Sequence, residues 1–308
     1  MKRLCIVLAG IAMVWSLLGV HSANAFLGGY PTPTLGGFPP GYPSNVPCQE
    51  PGLGLMSDFS VGFGLLEHRD GSIWALERQN STGTATWPLK GFWFQAAQEI
   101  ASDENIGFLL SAGIFVPRHM SGTWISRPDG ATFDFDIPSY DWWSLDGIVK
   151  ARVMRGFDLL GGFRWDHTST RVDYSDDTSD DYILNSYMPL IGAQLNRRFS
   201  DSSLLVRFMG TPLYFGTVKY HFWDRLGYAE FGNFRINSKS TYLEVLADYR
   251  FKLSRGIFAG GFVKGNWLRV RTDSRNLSGL TNESVAWAVD IKSWTVGGIV
   301  SLDFSCPL

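Results

Sequence analysis

Two places in this chain carry residues whose types and spacing suit hydrolytic chemistry. One is Asp134-Phe135-Asp136, in "DGATFDFDIPSYD"; the other is "KYHFWD", with His221 three residues before Asp224. Paired carboxylates can share a proton or position a water, and an imidazole beside a carboxylate can act as a general base. A third acidic run, "DYSDDTSDDY", holds Asp173, Asp176, Asp177, Asp180 and Asp181. Its density reads as a solvated surface or a weak cation site. His119, His167 and His221 all come near the ends of apolar-patterned segments. Alternation turns His167 outward with Trp165, so the three do not converge and no metal site is expected.

The elements that must position these groups are strands. Trp143, Leu145, Gly147, Val149, Ala151 and Val153 alternate with Ser144, Asp146, Ile148, Lys150 and Arg152. The same period of two runs through Phe157–Trp165, Leu243–Phe251 and Trp294–Phe304. It marks strands with one apolar and one polar face. Ten candidates follow: 57–78, 87–100, 105–117, 142–154, 157–173, 187–199, 203–222, 238–253, 256–272 and 291–304. The first contains Asp70-Gly71, a turn dipeptide that would split it into a hairpin, so eight or twelve strands are the alternatives. Short links near 102–105, 155–156, 200–201 and 254–255 alternate with long ones near 118–141, 175–186, 223–237 and 273–290. Short turns at one end and long loops at the other characterise outer-membrane barrels.

Composition agrees. Aromatics reach 15% with 12 Trp, charged residues only 18%, and there are 34 Gly, a balance rich in aromatics and poor in charge for a soluble domain. Met1–Ala25 has a basic start, an apolar run and an Ala-Asn-Ala ending, the plan of a cleaved secretory leader. Without it the chain carries 25 basic and 29 acidic residues, a net charge that gives nucleic acid no electrostatic foothold. Residues 26–52, "FLGGYPTPTLGGFPPGYPSNVPCQEPG", read as a Pro/Gly-rich periplasmic tail. Residues 53–308 form the barrel. Beyond the leader no apolar run reaches the roughly 18–20 residues that a spanning helix needs, so crossing a membrane requires a closed barrel. The fold class is therefore an all-β, transmembrane, antiparallel up-and-down barrel. Its setting is the outer membrane, with membrane lipid and the barrel-assembly machinery as partners and the surface ligand unknown.

If the apolar face meets lipid, the charges face the lumen. The inward set is Asp146, Lys150, Arg152, Arg164, Asp166, Arg207, Glu244, Asp248, Arg250 and Lys264. Acids and bases are mixed, so they can pair across a barrel too narrow for an open channel. A plug of ion pairs is expected, with a narrow channel as the alternative.

Two stretches resemble the omptin family of outer-membrane proteases. "YMPLIGAQLNRRFSDSSLLVRFMGTPLYFG" (Tyr187–Gly216) is similar to that family's central hairpin, and "STYLEVLADYRFKLSRGIFAGGFVKGNWLRVRTDS" to the hairpin after its fourth loop. The resemblance implies a ten-stranded barrel and, if the chemistry carries over, an endopeptidase working between Asp134/Asp136 and His221/Asp224. The family's fourth-loop Asp-x-His is not present; His221 and Asp224 stand in the reverse order and at a different spacing. A non-enzymatic surface barrel is therefore the leading expectation. No cofactor is expected; lipopolysaccharide is the candidate bound lipid.

The last strand ends on Phe304, resembling the aromatic terminal signature of outer-membrane barrels, and Cys306 follows it. Cys48 precedes the first strand at the same end, and closure makes first and last strands neighbours. A Cys48–Cys306 disulfide across the seam is predicted for the oxidising periplasm. The native, unreduced mature protein should titrate with no free thiol; two free thiols would refute the bond.

Overall fold

The computed structural model describes residues 55–76, 79–101, 105–126, 130–174, 179–211, 217–224, 238–254, 256–272 and 284–303. The expected leader (1–25), tail (26–52), Cys48 and Cys306 lie outside them. The strands are β1 (Leu55–Leu76), β2 (Gln79–Ala101), β3 (Ile106–His119), β4 (Ser121–Ser126), β5 (Thr132–Met154) and β6 (Phe157–Tyr174). They continue as β7 (Ser179–Arg198), β8 (Ser202–Gly210), β9 (Thr217–Asp224), β10 (Ser238–Ser254), β11 (Ile257–Thr272) and β12 (Ser284–Asp303). β3 and β4 follow one another along one wall, between β2 and β5. β8 and β9 likewise share a wall beside β7. Twelve strand segments thus make ten walls, all antiparallel to their neighbours.

Closure comes from β1 against β12. The pairing runs without a break from Met56–Asp303 to Ala75–Ser284, leaving no strand edge open to lipid. Asp70-Gly71 is no turn: it pairs straight through with Val289 and Ala288 on one side and with Ala85 and Thr84 on the other. A two-residue turn, Arg155-Gly156, joins β5 to β6 at the end where β1 begins and β12 ends. Gly156 has φ +79° and packs against the Asn196 carbonyl, a left-handed position that side chains resist.

The outward face of the lower walls is apolar and exposed: Val61, Phe63, Leu65, Leu145, Val149, Phe163, Phe208, Val263, Val296 and Val300. Above it stand aromatic pairs, Trp143–Trp165, Trp165–Tyr187 and Trp267–Trp294. Such a ring marks a membrane interface. Higher still the outward positions turn polar, with Glu67, Arg69, Lys292 and the Arg269/Arg271–Asp290 bridges. The walls therefore continue past the lipid band.

This extension corrects the expected loops. Much of 118–141 is strand (β4 and the start of β5), and 179–186 and 284–290 belong to β7 and β12. Outside the lipid the outward face is wet, so the alternation inverts: apolar residues point in and acids point out. "TFDFDI" is strand in that inverted phase.

At the seam, Gly297 lies opposite Gly62, and Phe262 packs inside over this pair. A Cβ at Gly297 would fall 2.1 Å from the Val61 carbonyl oxygen. Gly297→Val should destabilise the folded barrel by roughly 1–3 kcal/mol or more, read as a lower urea midpoint in detergent. An unchanged midpoint would contradict this packing.

Candidate functional site

Two layers fill the interior. The inner layer is ionic, and its centre is Arg164, fully buried on β6. Its Nη1 donates to Asp146 Oδ1 at 3.1 Å and its Nε to Asp166 Oδ2 at 2.9 Å. Nη1 also reaches Glu244 Oε2 at 3.4 Å. Glu244 accepts from Arg207 Nη2 at 2.9 Å and from the Tyr242 hydroxyl at 2.8 Å, and Lys264 Nζ lies 3.3 Å away. Ser111 donates to Asp146 at 2.8 Å and the Trp142 indole to Asp166 at 3.4 Å. The three cations match the three carboxylates in number. The guanidinium of Arg164 stacks over the Tyr242 ring at 4.5 Å and Lys264 over Trp93 at 4.9 Å, which adds cation–π attraction where water is excluded.

Toward the end where β1 begins and β12 ends are two smaller networks. Lys150 bridges Glu99 at 2.5 Å and Asp158 at 4.0 Å, and Arg152 meets Asp158 at 3.3 Å. Arg250 meets Asp248 at 2.8 Å and Asp58 at 2.7 Å, and donates to Ser301. The expected inward charges thus all join ion pairs. Nine of them are buried. Arg152 sits at the rim with half its side chain exposed.

The outer layer is apolar. Leu66, Trp87, Leu89, Trp93, Phe115, Phe135, Ile137, Tyr140, Trp142, Val172, Leu184, Met188, Val270, Val289 and Ile291 form one buried cluster. His68 is inside it, its ring 3.9 Å from that of Trp87 and its Nδ1 3.2 Å from the Tyr140 hydroxyl. Sequence reasoning missed this layer. The signal was present in Phe135 and Ile137 alternating with Asp134 and Asp136.

That phase decides what the acid pair can reach. Asp134 and Asp136 are exposed on the outside of β5, while Phe135 and Ile137 turn inward. Asp136 stands directly opposite Asp173 in the ladder. His221 pairs in register with Ile183 and Asp224 with Asp180 on β7, so β6 and β7 separate them from β5. His167 lies outside, stacked on Trp143 at 5.0 Å and bonded to Asn185 at 2.8 Å. Among the described residues no three or more His, Cys, Asp or Glu side chains gather as a metal site.

Arg164 is the keystone of the inner layer. Arg164→Met removes the guanidinium that Asp146 and Asp166 share inside the barrel, while Glu244 keeps Arg207 and Lys264, and should cost about 3–5 kcal/mol. Arg171→Ala, which loses a partly exposed bridge to Asp173, should cost about 1 kcal/mol at most. Urea unfolding followed by tryptophan emission measures both; equal effects would contradict the buried cluster.

No protein-family model matches the chain, and no curated protein does. Solved structures do match. The outer membrane protease OmpT from Escherichia coli superposes with a TM-score of 0.60 at 12% identity, covering 84% of this chain and all of that one. The translocator domain of the autotransporter NalP from Neisseria meningitidis matches at 15% identity and TM-score 0.36, over 80% of this chain and 88% of that one. A FadL homologue of Pseudomonas aeruginosa matches at 10% identity and TM-score 0.34, over 82% and 90%. The fold of this chain is that of a closed ten-stranded outer-membrane β-barrel, similar in shape to the omptin protease.

Proposed function

We propose that this protein is a sealed, non-enzymatic barrel of the outer membrane, exported by its leader and presenting its upper walls at the cell surface. The observation that carries this reading is the double filling of the interior. Ion pairs occupy the inner half and aromatic and aliphatic side chains the outer half, which opposes an ion path along the axis. A peptidase mechanism needs its acids and its base to meet a substrate in one cleft. The outward turn of Asp134 and Asp136, and the two strands between them and His221/Asp224, oppose it. The protease remains the second reading because the barrel has the OmpT shape.

The outer surface fits lipopolysaccharide as bound lipid. Arg269, Arg271 and Lys292 point outward just above the Trp267–Trp294 pair, at the height of anionic headgroups. These cations would hold the barrel upright at the interface while its filled interior gives it stiffness.

Planar-bilayer recording of the refolded protein should show no conductance steps; reproducible unitary steps would establish the channel instead. Barrel refolded with lipopolysaccharide should leave dibasic peptides intact. Cleavage that disappears in both Asp136→Ala and His221→Ala would establish the peptidase instead.

A further inference from the structure

Three short turns, joining β5 to β6, β7 to β8 and β10 to β11, stand side by side at the end where β1 begins and β12 ends. Backbone hydrogen bonds tie each to the next wall. The Asn196 N–H donates to the Gly156 carbonyl at 2.7 Å, the Lys252 N–H to the Asp201 carbonyl at 2.8 Å, and the Asp303 N–H to the Gly256 carbonyl at 2.7 Å. The turns therefore form one connected rim.

Each turn carries the same two residue types. Met154 and Arg155 sit at the first, Arg197 and Phe199 at the second, Lys252 and Leu253 at the third, and all six are exposed. Met154, at 62%, is more exposed than any other large apolar side chain described. Such groups would face water unless lipid reaches the turns, so the membrane boundary lies at this rim. Two of the cations stand together: Arg155 adjoins Gly156 and Arg197 adjoins Asn196, the two residues that share a hydrogen bond.

The cations have no acids to answer them. Among the described residues no carboxylate pairs with Arg155, Arg197 or Lys252, whereas Lys150, Arg152 and Arg250, just inside the barrel, are all paired. Asp201 is the exposed acid of these turns among the described residues. The whole chain is slightly acidic, with 27 basic against 29 acidic residues, so the basic excess is local. The fourth short link, near 102–105, holds Asp103 and Glu104 in its sequence, which makes the basic rim an arc and not a ring.

We infer that this arc binds glycerophospholipids of net negative headgroup charge in the inner leaflet of the membrane. Arg155 and Arg197 take the phosphate, with Lys252 further along the arc. Met154, Phe199 and Leu253 lie against the glycerol and upper acyl region. Unpaired cations at phosphate height beside apolar side chains suit an anionic headgroup, and a guanidinium matches phosphate with a forked donor set. A zwitterionic headgroup brings its own cation and gains less. With the upper walls at the cell surface, as proposed above, phospholipid and not lipopolysaccharide faces this end, and the lipid assignment rests on that orientation.

The refolded barrel in nonionic detergent is offered phosphatidylglycerol and phosphatidylcholine of matched chains, and native mass spectrometry counts the lipid retained. Phosphatidylglycerol should be retained at least about fivefold over phosphatidylcholine at low salt, the factor expected for one cation near an anionic surface. The preference should shrink as salt rises. Arg155→Gln/Arg197→Gln should bring the ratio close to one, and Arg155→Lys/Arg197→Lys should keep most of it. Arg69→Gln/Arg118→Gln removes the same charge from exposed positions at the other end and should leave the ratio unchanged. All three variants alter exposed side chains, and an unchanged urea midpoint shows the barrel intact. A wild-type ratio near one, or an equal fall in both Gln pairs, would overturn the arc. With lipopolysaccharide as the probe, Arg155→Gln/Arg197→Gln should retain as much as the wild type; a loss there would give the arc to lipopolysaccharide and overturn the proposal. Conductance and peptide cleavage do not enter this readout, so a failed arc and a failed sealed barrel are separate results.

Discussion

Closure is the constraint on which everything else in this barrel depends. A sheet in lipid has no water to satisfy a free edge, so β1 must find β12 along its length. Once it does, every second residue of ten walls is forced into a common interior that has to be filled. A barrel this narrow brings inward side chains of facing walls together, and they can be accommodated by pairing or by dry packing. This chain uses both solutions, one above the other. Below, Arg164 gathers Asp146, Asp166 and Glu244, with Arg207 and Lys264 completing the charge balance. Above, where the outside of the wall is wet, the interior becomes an apolar core of the kind found in soluble proteins.

The two fillings explain each other. Charges inside the lipid band are tolerated when each meets an opposite partner. Inside that band a few apolar side chains, Leu109, Ile148, Leu160 and Phe262, also turn inward among the charges. Beyond the aromatic ring the argument reverses: outward residues meet water, and inward apolar residues gain from burial as in any globular core. Trp93 and Trp142 stand at the junction. Each contacts the apolar cluster with one part of its ring and a charged group of the inner layer with another.

This also accounts for what the sequence disclosed. In the lipid band the pattern is apolar-out and charge-in, and the strands Phe157–Tyr174 and Ser238–Ser254 are legible from alternation to within a few residues. So are the inward partners, because Asp146, Arg164 and Glu244 could lie nowhere else. Above the band the phase flips. Phe133–Ile137 carries the same period of two with opposite meaning, and its acids look like a loop. Read as a loop, Asp134 and Asp136 are free to face a substrate; held in a strand with Phe135 inside, they face away from the interior.

The central claim is the phase of β5 above the membrane. Nitroxide scanning of residues 133–140 tests it most directly, in the Cys48→Ser/Cys306→Ser background, with a water-soluble nickel complex as relaxant. The account predicts high accessibility at 134 and 136 and low accessibility at 135, 137 and 140. Low values at 134 and 136 with high values at 135 and 137 would turn the acids inward and contradict it.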